Sequence, residues 1–348
     1  MTEAPVQVAV AGAGLIGRQH IRRILAEPRA RLAAIIDPTE AAKHLARECQ
    51  APYFQNLDEA LASLRMDGLI VASPTQMHVE HALAAVEARV PVLVEKPICG
   101  DLDSAERLVC AAEAAQVPIL VGHHRRHSPF IEKAREAIQS GRLGQITAVN
   151  GMCLLRKPDH GYFDGPMEWR RRPGGGVALI NLTHVLDDLR NLCGEIASIR
   201  AIASSHARGF EVEDTVSVIL EFASGALGTL LASDATAAPW SWEMTSGENQ
   251  SFPHTEEFCY VIAGTRGSLA VPTLDVWTHE GDGWNSRLDR QRLAVEIFDP
   301  LVAQLRHFCR VIRGQEPPRL DGRGGMRTLA ATLAVKEAAE TGNTILLA

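Results

Sequence analysis

Residues 6–17 read Val6-Gln7-Val8-Ala9-Val10-Ala11-Gly12-Ala13-Gly14-Leu15-Ile16-Gly17. A short apolar run opens directly into Gly-x-Gly-x-x-Gly, and apolar residues then recur at helical spacing, so the stretch predicts a strand, a tight turn and a helix. In such a turn Gly12 makes the bend, Gly14 lets backbone approach a pyrophosphate, and Gly17 lets the helix pack on the strand. The first helical amides and the helix dipole then favour phosphate.

Asp37 strengthens this interpretation. A glycine-rich turn by itself is weak evidence, because such a turn can also occur without binding any ligand. Asp37 closes a second apolar run, 32–36, about 20 residues after Gly17, where an acid accepts hydrogen bonds from an adenosine ribose. The carboxylate of Asp37 would repel the 2′-phosphate of NADP, and no arginine follows at Pro38 or Thr39 to bind that phosphate. Both observations favour NAD over NADP. The predicted cofactor contacts in this part of the chain are Gly12, Gly14, Leu15, Ile16, Gly17 and Asp37.

Length and composition narrow the class of protein. At 348 residues the chain is long enough for two domains, and a net charge of −7 without a basic stripe argues against nucleic acid as a partner. No apolar run is long enough for a membrane span, and no charged leader precedes the first strand, so we expect a cytoplasmic protein without a membrane partner. The seven cysteines form no Cys-x-x-Cys pair and the histidines show no metal spacing, so we expect no metal.

The order of elements predicts an α/β protein with two domains. Six short apolar strands alternate with helices up to about residue 121, which is typical of a Rossmann-like, doubly wound parallel sheet. Beyond it the alternation stops, and extended runs follow one another across short turns, the last of them at 292–297. We therefore expect a dinucleotide-binding domain over 1–123 and an α+β domain with a large, mostly antiparallel sheet over 124–348, whose final helices could pack back on the first domain.

Polar residues follow the strands of the first sheet, at the edge where doubly wound sheets bind ligands. Further cofactor contacts are expected from Ser73, Pro74, Thr75 and His78 after the fourth strand, and from Glu95 and Lys96 after the fifth. A cis Lys96–Pro97 bond is also expected, because X-Pro is the bond at which cis is accessible. Lys96, partly desolvated at the end of a buried strand, suits proton transfer, although a salt bridge to Glu95 is the alternative.

Several motifs together resemble the glucose–fructose oxidoreductase/inositol dehydrogenase/MocA (Gfo/Idh/MocA) family. They are Gly12-x-Gly14-x-x-Gly17, Glu95-Lys96-Pro97, Gly174-Gly175-Gly176 with His184 eight residues later, Glu213-Asp214-Thr215, Ser224-Gly225-Ala226 and 263–268. The resemblance implies hydride transfer between a nicotinamide and a sugar-like alcohol carbon, and an open second sheet that builds dimers or tetramers. It further implies that Lys96 contacts nicotinamide and substrate, and that His184 exchanges the alcohol proton.

The helix that carries His184 departs from the family pattern. The family has an aspartate four residues before this histidine, where the present chain has Ile180, with Asn181 beside it. Isoleucine neither takes a proton nor accepts a hydrogen bond, so the proton relay rests on Lys96 and His184, and Asn181 could supply a hydrogen bond instead. An imidazole titrates near working pH, which suits this role, although His184 could also be a packing residue. Asp187 could orient the ring, although its i,i+3 spacing on a helix also fits an ordinary surface pair.

A long polar loop, 156–176, and the cluster 123–127 carry an excess of cations. Arginine binds carboxylate or phosphate in bidentate fashion, so these residues as a set leave an anionic substrate possible. For any single arginine, an ion pair with one of the chain's own acids is the simpler interpretation. Predicted substrate contacts are Lys96, His124, Arg125, Arg156, Tyr162, Asn181 and His184, and Trp169 and Arg170 are further predicted cofactor contacts.

The sequence thus predicts an NAD-dependent dehydrogenase that acts on a secondary alcohol of a cyclic polyol or sugar. Two alternatives remain open. A dihydrodiol dehydrogenase acting on a carboxylated ring fits Ile180 and the cationic excess, and a non-catalytic NAD-binding sensor fits the missing aspartate.

Overall fold

The computed structural model describes residues 4–279, 281 and 284–347. The chain divides into two compact units, Met1–His127 with Asp299–Leu329 and Ser128–Phe298 with Ala330–Ala348. The first unit thus runs a few residues past 123 and also includes residues 299–329. Among the described residues, no helix combines the length and apolar character that crossing a membrane requires.

The first unit is built on a six-stranded parallel sheet. Its strands are β1 (Val6–Ala11), β2 (Ala30–Ile36), β3 (Tyr53–Phe54), β4 (Gly68–Val71), β5 (Val92–Val94) and β6 (Ile119–Val121). Their spatial order is β3-β2-β1-β4-β5-β6, so the direction of winding reverses between β1 and β4. The helices after the strands are α1 (Leu15–Ala26), α2 (Glu40–Glu48), α3 (Leu57–Ser63), α4 (His78–Glu87) and α5 (Leu102–Ala115). The predicted doubly wound sheet is confirmed.

Helix α9 (Pro300–Ile312) explains why a late segment belongs to the first unit. Its apolar face, which includes Leu305 and Phe308, joins the buried cluster of β1, β2 and α1. Two ion pairs fix the packing: Arg23 binds Asp299 at 2.7 Å, and Arg306 binds Glu27 at 2.7 Å.

The second unit is built on a nine-stranded, mostly antiparallel sheet. Its strands are β7 (Ile146–Leu154), β8 (Ile196–Ser204), β9 (Thr215–Phe222), β10 (Leu227–Ser233), β11 (Tyr260–Gly264), β12 (Gly267–Val271), β13 (Asp275–His279), β14 (Leu288–Arg292) and β15 (Ile345–Leu346). The order is β14-β13-β12-β11-β7-β10-β9-β8-β15, and among the described strands of this sheet only β7 and β10 run parallel to each other. The predicted α+β unit is confirmed, except that the last long strand is β14 rather than 292–297.

The two faces of this sheet differ in cover. On one face, alternate residues of β9 such as Val218 and Leu220 form a core with helices α6 (Pro129–Gln139) and α7 (Thr183–Cys193), and with part of α10 (Gly322–Thr341). A short helix, α8 (Trp242–Thr245), also contributes Trp242. The other face carries four largely exposed aliphatic side chains, Ile202, Ile219, Leu227 and Leu231, whose strand register places them on one side of the sheet. We call these four residues the aliphatic face.

Candidate cofactor and active site

The turn between β1 and α1 is packed so tightly that only glycine fits two of its positions. Gly12 has φ +98°, and a Cβ there would lie 2.5 Å from the backbone of Ala72 and Ser73. A Cβ on Gly17 would lie 1.9 Å from the carbonyl oxygen of Gly12. Gly14, in contrast, faces open space at the start of α1 and offers no side-chain cap for the first helical amides. These amides are therefore available to a phosphate, so the turn fits a dinucleotide.

Asp37 reaches the same turn from the end of β2. Its Oδ2 accepts a hydrogen bond from the Ala13 amide at 2.8 Å, while Oδ1 accepts from the Thr39 amide at 2.9 Å and the Thr39 hydroxyl at 2.5 Å. A carboxylate offers about four lone-pair sites, so Asp37 can still accept from a sugar hydroxyl. The acid thus holds the glycine turn in shape and brings negative charge to its rim.

The chain after β4 is connected to the chain after β5 by His78. The buried ring places Nε2 2.9 Å from the Ser73 carbonyl oxygen and Nδ1 2.9 Å from the Pro97 carbonyl oxygen. Both ring nitrogens face these carbonyls, so His78 holds the two segments together and could meet a cofactor only through ring carbons. Ser73 places its hydroxyl 3.0 Å from Nδ1 of His81. Pro74 and Thr75 begin a short 3₁₀ turn that leads into α4.

Glu95 and His20 form a buried pair beneath Lys96. His20 on α1 donates from Nε2 to Glu95 at 2.8 Å, and the Lys96 amide donates to the other carboxylate oxygen at 3.2 Å. Burial opposes ionisation of Glu95, but the hydrogen bond and charge of His20 together hold its pKa below its usual range. The predicted cis Lys96–Pro97 bond is confirmed. The backbone of Lys96 is therefore held in place by the buried, ionised carboxylate of Glu95.

The cluster after β6 is a 3₁₀ turn, His124–His127. Burial lowers the pKa of His124 to about 4, with the charge of Arg125 acting in the same direction. His124 is therefore neutral at physiological pH, and Arg125 is buried. Nε2 of His127 lies 2.9 Å from Nδ1 of His307, whose Nε2 donates to the Pro317 carbonyl at 3.0 Å. The far end of this cluster thus ties the turn to α9.

The loop 156–176 in the second unit is ordered by stacked cations and rings. The guanidinium of Arg170 lies 3.9 Å above the Tyr162 ring and donates to the Tyr162 carbonyl at 3.0 Å. Trp169 next to it is half exposed. Arg156 lies at the exposed start of the loop, 3.5 Å from Asp159. Tyr162 is therefore held in place by its neighbours, whereas Arg156 and Trp169 present much of their surface to solvent.

His184 lies in a helix that begins irregularly. Residues Ala178–Leu182 form a π-helical turn, which continues directly into α7 with His184 as its second residue. π-Helical turns are rare in proteins overall, but those that occur are often found at functional sites. Asn181 lies in this turn, is 8% exposed and accepts a hydrogen bond from the Thr183 amide through its backbone carbonyl. One helical turn after His184, Asp188 is buried and accepts a hydrogen bond from the hydroxyl of Tyr260 at 2.8 Å.

Sequence reasoning missed two residues that shape this region. Arg208 is almost fully buried, donates to Asp234 at 2.7 Å and lies 4.5 Å above the Phe163 ring, so it anchors the loop. Glu213, quoted only as part of a motif, accepts a hydrogen bond from the Ala178 amide at 2.9 Å. Neither role had a local signal, because each partner lies far away in the sequence. In the part of the chain that the structure describes, no three His, Cys, Asp or Glu side chains group as a metal site would require.

A glycine turn, an acid at the end of β2 and a reversal of winding between β1 and β4 define the first unit as a dinucleotide-binding domain. Residues 6–123 match the oxidoreductase family with an NAD-binding Rossmann fold, and residues 131–270 match the GFO/IDH/MocA C-terminal domain. The chain belongs to the Gfo/Idh/MocA family of oxidoreductases, as its motifs indicated.

Several characterised relatives are reductases or dehydrogenases. The 1,5-anhydro-D-fructose reductase of Ensifer adhaerens is 28% identical over 299 residues, which are 82% of this chain and 81% of that protein. An inositol 2-dehydrogenase of Corynebacterium glutamicum (strain R) is 35% identical over 161 residues, 45% of this chain and 47% of its own. The WlbA dehydrogenase from Bordetella pertussis, solved with NADH and UDP-GlcNAcA, is 27% identical, covers 99% of both chains and has a TM-score of 0.79.

Proposed function

We propose that the protein transfers a hydride between the nicotinamide of NAD and a carbon that bears a secondary alcohol on a cyclic polyol or sugar. The observation that carries the proposal is the fixed Glu95–Lys96–Pro97 turn, which lies at the carboxyl edge of the same sheet as the glycine turn. Bound NAD supplies the hydride acceptor. The glycine turn and Asp37 would hold it, and the relatives that reduce or oxidise sugars and inositols support this substrate class.

Lys96 and His184 have separate roles in this proposal. The ammonium of Lys96 donates a hydrogen bond to the substrate oxygen, which orients the alcohol and stabilises negative charge that develops there. His184 accepts the hydroxyl proton during oxidation and returns it during reduction. Ile180 can take no part in proton transfer. Asn181 beside it has an amide that does not titrate, so it contributes only a hydrogen bond.

The test compares Lys96→Met and His184→Asn with two surface controls, Lys133→Met and His206→Asn, under steady-state conditions with a panel of inositols, sugars and sugar acids. General acid–base groups contribute about 10²- to 10⁴-fold, so we expect kcat/KM to fall by that factor in the first pair and to be unchanged in the controls. NADH binding, followed by fluorescence, should persist in His184→Asn. Wild-type protein that binds NADH but turns over no member of the panel would favour the sensor instead.

NAD is proposed over NADP because Asp37 carries its charge at the rim of the glycine turn. A 2′-phosphate would meet this carboxylate, and the neighbouring side chain is the neutral Thr39. Competing titrations with NADH and NADPH on the same preparation test this preference.

A carboxylated substrate is the second candidate, supported by Arg171. Its guanidinium lies 5.0 Å above the Phe210 ring, and it forms no ion pair or hydrogen bond with another side chain among the described residues. A cation that the protein leaves without a carboxylate is suited to an anionic ligand. Arg171→Met should then raise KM for acids of the substrate panel and leave KM for neutral sugars unchanged. Turnover of neutral sugars alone would remove this candidate.

We also propose that a second copy of the chain covers the aliphatic face. Ile202, Ile219, Leu227 and Leu231 lie together on one side of an open sheet, and such patches mark interaction sites more often than free surface. A C2 pair buries the same patch from both copies. Light scattering of wild type and Ile219→Lys tests this assembly, and a monomeric wild type contradicts it.

A further inference from the structure

Glu213 closes the start of the helix that carries His184. The Ala178 amide donates to Oε1 of Glu213 at 2.9 Å, and the Val177 amide donates to the backbone carbonyl of Glu213 at 3.3 Å. The first amides of a helix have no acceptor within that helix. One residue from a distant part of the chain therefore supplies acceptors for two of them, in place of a local N-cap.

The glycine before this helix is shaped by the same carboxylate. Gly176 has φ +87°, and a Cβ there would lie 2.3 Å from Oε1 of Glu213 and 2.8 Å from Oε2. A side chain at position 176 would thus be strained by its backbone and would displace the acid. The third glycine of Gly174–Gly176 is required because the carboxylate occupies the adjacent space.

The helical segment between Glu213 and His184 gives the contact its importance. Ala178–Leu182 is a π-helical turn, whose hydrogen-bond pattern is less favourable than that of an α-helix. Such a segment can relax to a different register unless one end is fixed from outside. Glu213 fixes its first residue, and His184 follows directly after its last turn.

We propose that Glu213 is a positioning residue for His184, because its carboxylate holds the first turn of the helix and thereby sets where the imidazole lies. This inference rests on the proposed role of His184 in proton transfer. Glu213 itself need not contact substrate or cofactor.

The main test compares Glu213→Met with Glu213→Gln, which have similar shapes but differ in the acceptor. The amide oxygen of Gln can still accept from Ala178, so we expect kcat within a few-fold of wild type. Met removes the acceptor, and we expect kcat to fall about 10- to 100-fold with little change in KM, as is typical of a slightly misplaced catalytic group. Glu211→Gln, an exposed acid two positions earlier, is the control and should be unchanged.

Amide hydrogen exchange supplies a readout that does not depend on activity. The Ala178 amide, whose acceptor is the side chain of residue 213, should exchange slowly in wild type and in Glu213→Gln, and markedly faster in Glu213→Met. Equal exchange in the Met and Gln variants, or wild-type kcat in Glu213→Met, would overturn the proposal. Should Glu213→Met not fold, Gly176→Ala serves instead, since its methyl displaces the carboxylate without removing it and should lower kcat by a similar factor.

A double-mutant cycle of Gly176→Ala and Glu213→Ala tests the contact itself. Because a methyl at position 176 clashes with the acid, Gly176→Ala should lower kcat less in the Glu213→Ala background than in wild type, and additive effects count against the contact. If His184→Asn keeps the kcat/KM of wild type, the proposed role of His184 in proton transfer fails. If that variant is inactive but Glu213→Met is not, only the present inference fails.

Discussion

Three glycines stand at the start of a helix in each unit, and the two sets meet different neighbours. In the first unit the neighbours are backbone atoms close in the sequence or in the adjacent strand: Gly17 lies against Gly12, and Gly12 against Ala72. In the second unit Gly175 lies against the backbone of Arg170, but Gly176 lies against the side chain of Glu213. The first turn is a property of its own strand and helix, whereas the second depends on a long-range partner.

The comparison shows why one motif could be interpreted from sequence and the other only noted. In the β1–α1 turn, the atoms that leave no room for a side chain belong to the 12-residue stretch itself or to the end of one neighbouring strand. The spacing of its glycines is therefore informative by itself. The Gly174–Gly176 loop has no such internal logic, because the reason for its third glycine lies 37 positions later. Substitutions can test both halves of this comparison.

Gly17→Ala should have the largest effect. Its methyl would overlap the carbonyl oxygen of Gly12, and forcing such an overlap costs about 3 kcal/mol or more of unfolding free energy. Gly14→Ala, whose methyl meets open space, should lose less than about 1 kcal/mol. Urea unfolding of both variants measures the difference. If both variants lose the same unfolding free energy, the turn can shift to accommodate the methyl group and is not a rigid local unit.

Acid should destabilise the first unit through His124. Its folded pKa of about 4 lies below the unfolded value near 6.5, so the unfolded chain takes up the proton first and stability is lost as pH falls from about 6.5 to 4. The loss has an upper bound of about 3 kcal/mol. His124→Gln should flatten this part of the curve of unfolding free energy against pH.

Asp37→Ala should have the smallest effect of the three and should fall on the cofactor. We expect NADH affinity to drop about 10-fold, equivalent to about 1.4 kcal/mol, because the acid both holds the turn and faces the ribose in the proposed complex. Asp67 is a matched control, since it accepts a backbone hydrogen bond from Gln7 at 2.8 Å near the start of β1. If Asp67→Ala weakens NADH binding equally, Asp37 acts only through stability.

The sequence predicted elements well wherever apolar residues recur with a clear period. All six strands of the first sheet show such runs, and their alternation with helices defined the parallel sheet. β14 was expected too late in the chain, because all of its residues are exposed and it is held by Arg290 and Arg292, which both bind Asp275 of β13. β15 was missed because it consists of two residues that pair with β8.

The site was predictable to the extent that it consists of local turns. The glycine turn, Asp37 and the cis Lys96–Pro97 bond follow from short motifs. The roles of Glu213 and Arg208 depend on contacts across the second unit, and the π-helical turn before His184 has no propensity signature. These features depend on packing, which only the folded chain reveals.

The aliphatic face has a consequence for how heat denaturation is measured. If two copies associate through it, unfolding also separates them, and mass action makes the midpoint temperature depend on protein concentration. Diluting the sample should then lower the melting temperature of the wild type, while Ile219→Lys should melt at one temperature at every dilution. Ranking variants of this protein by melting temperature is therefore meaningful only at a single, stated concentration.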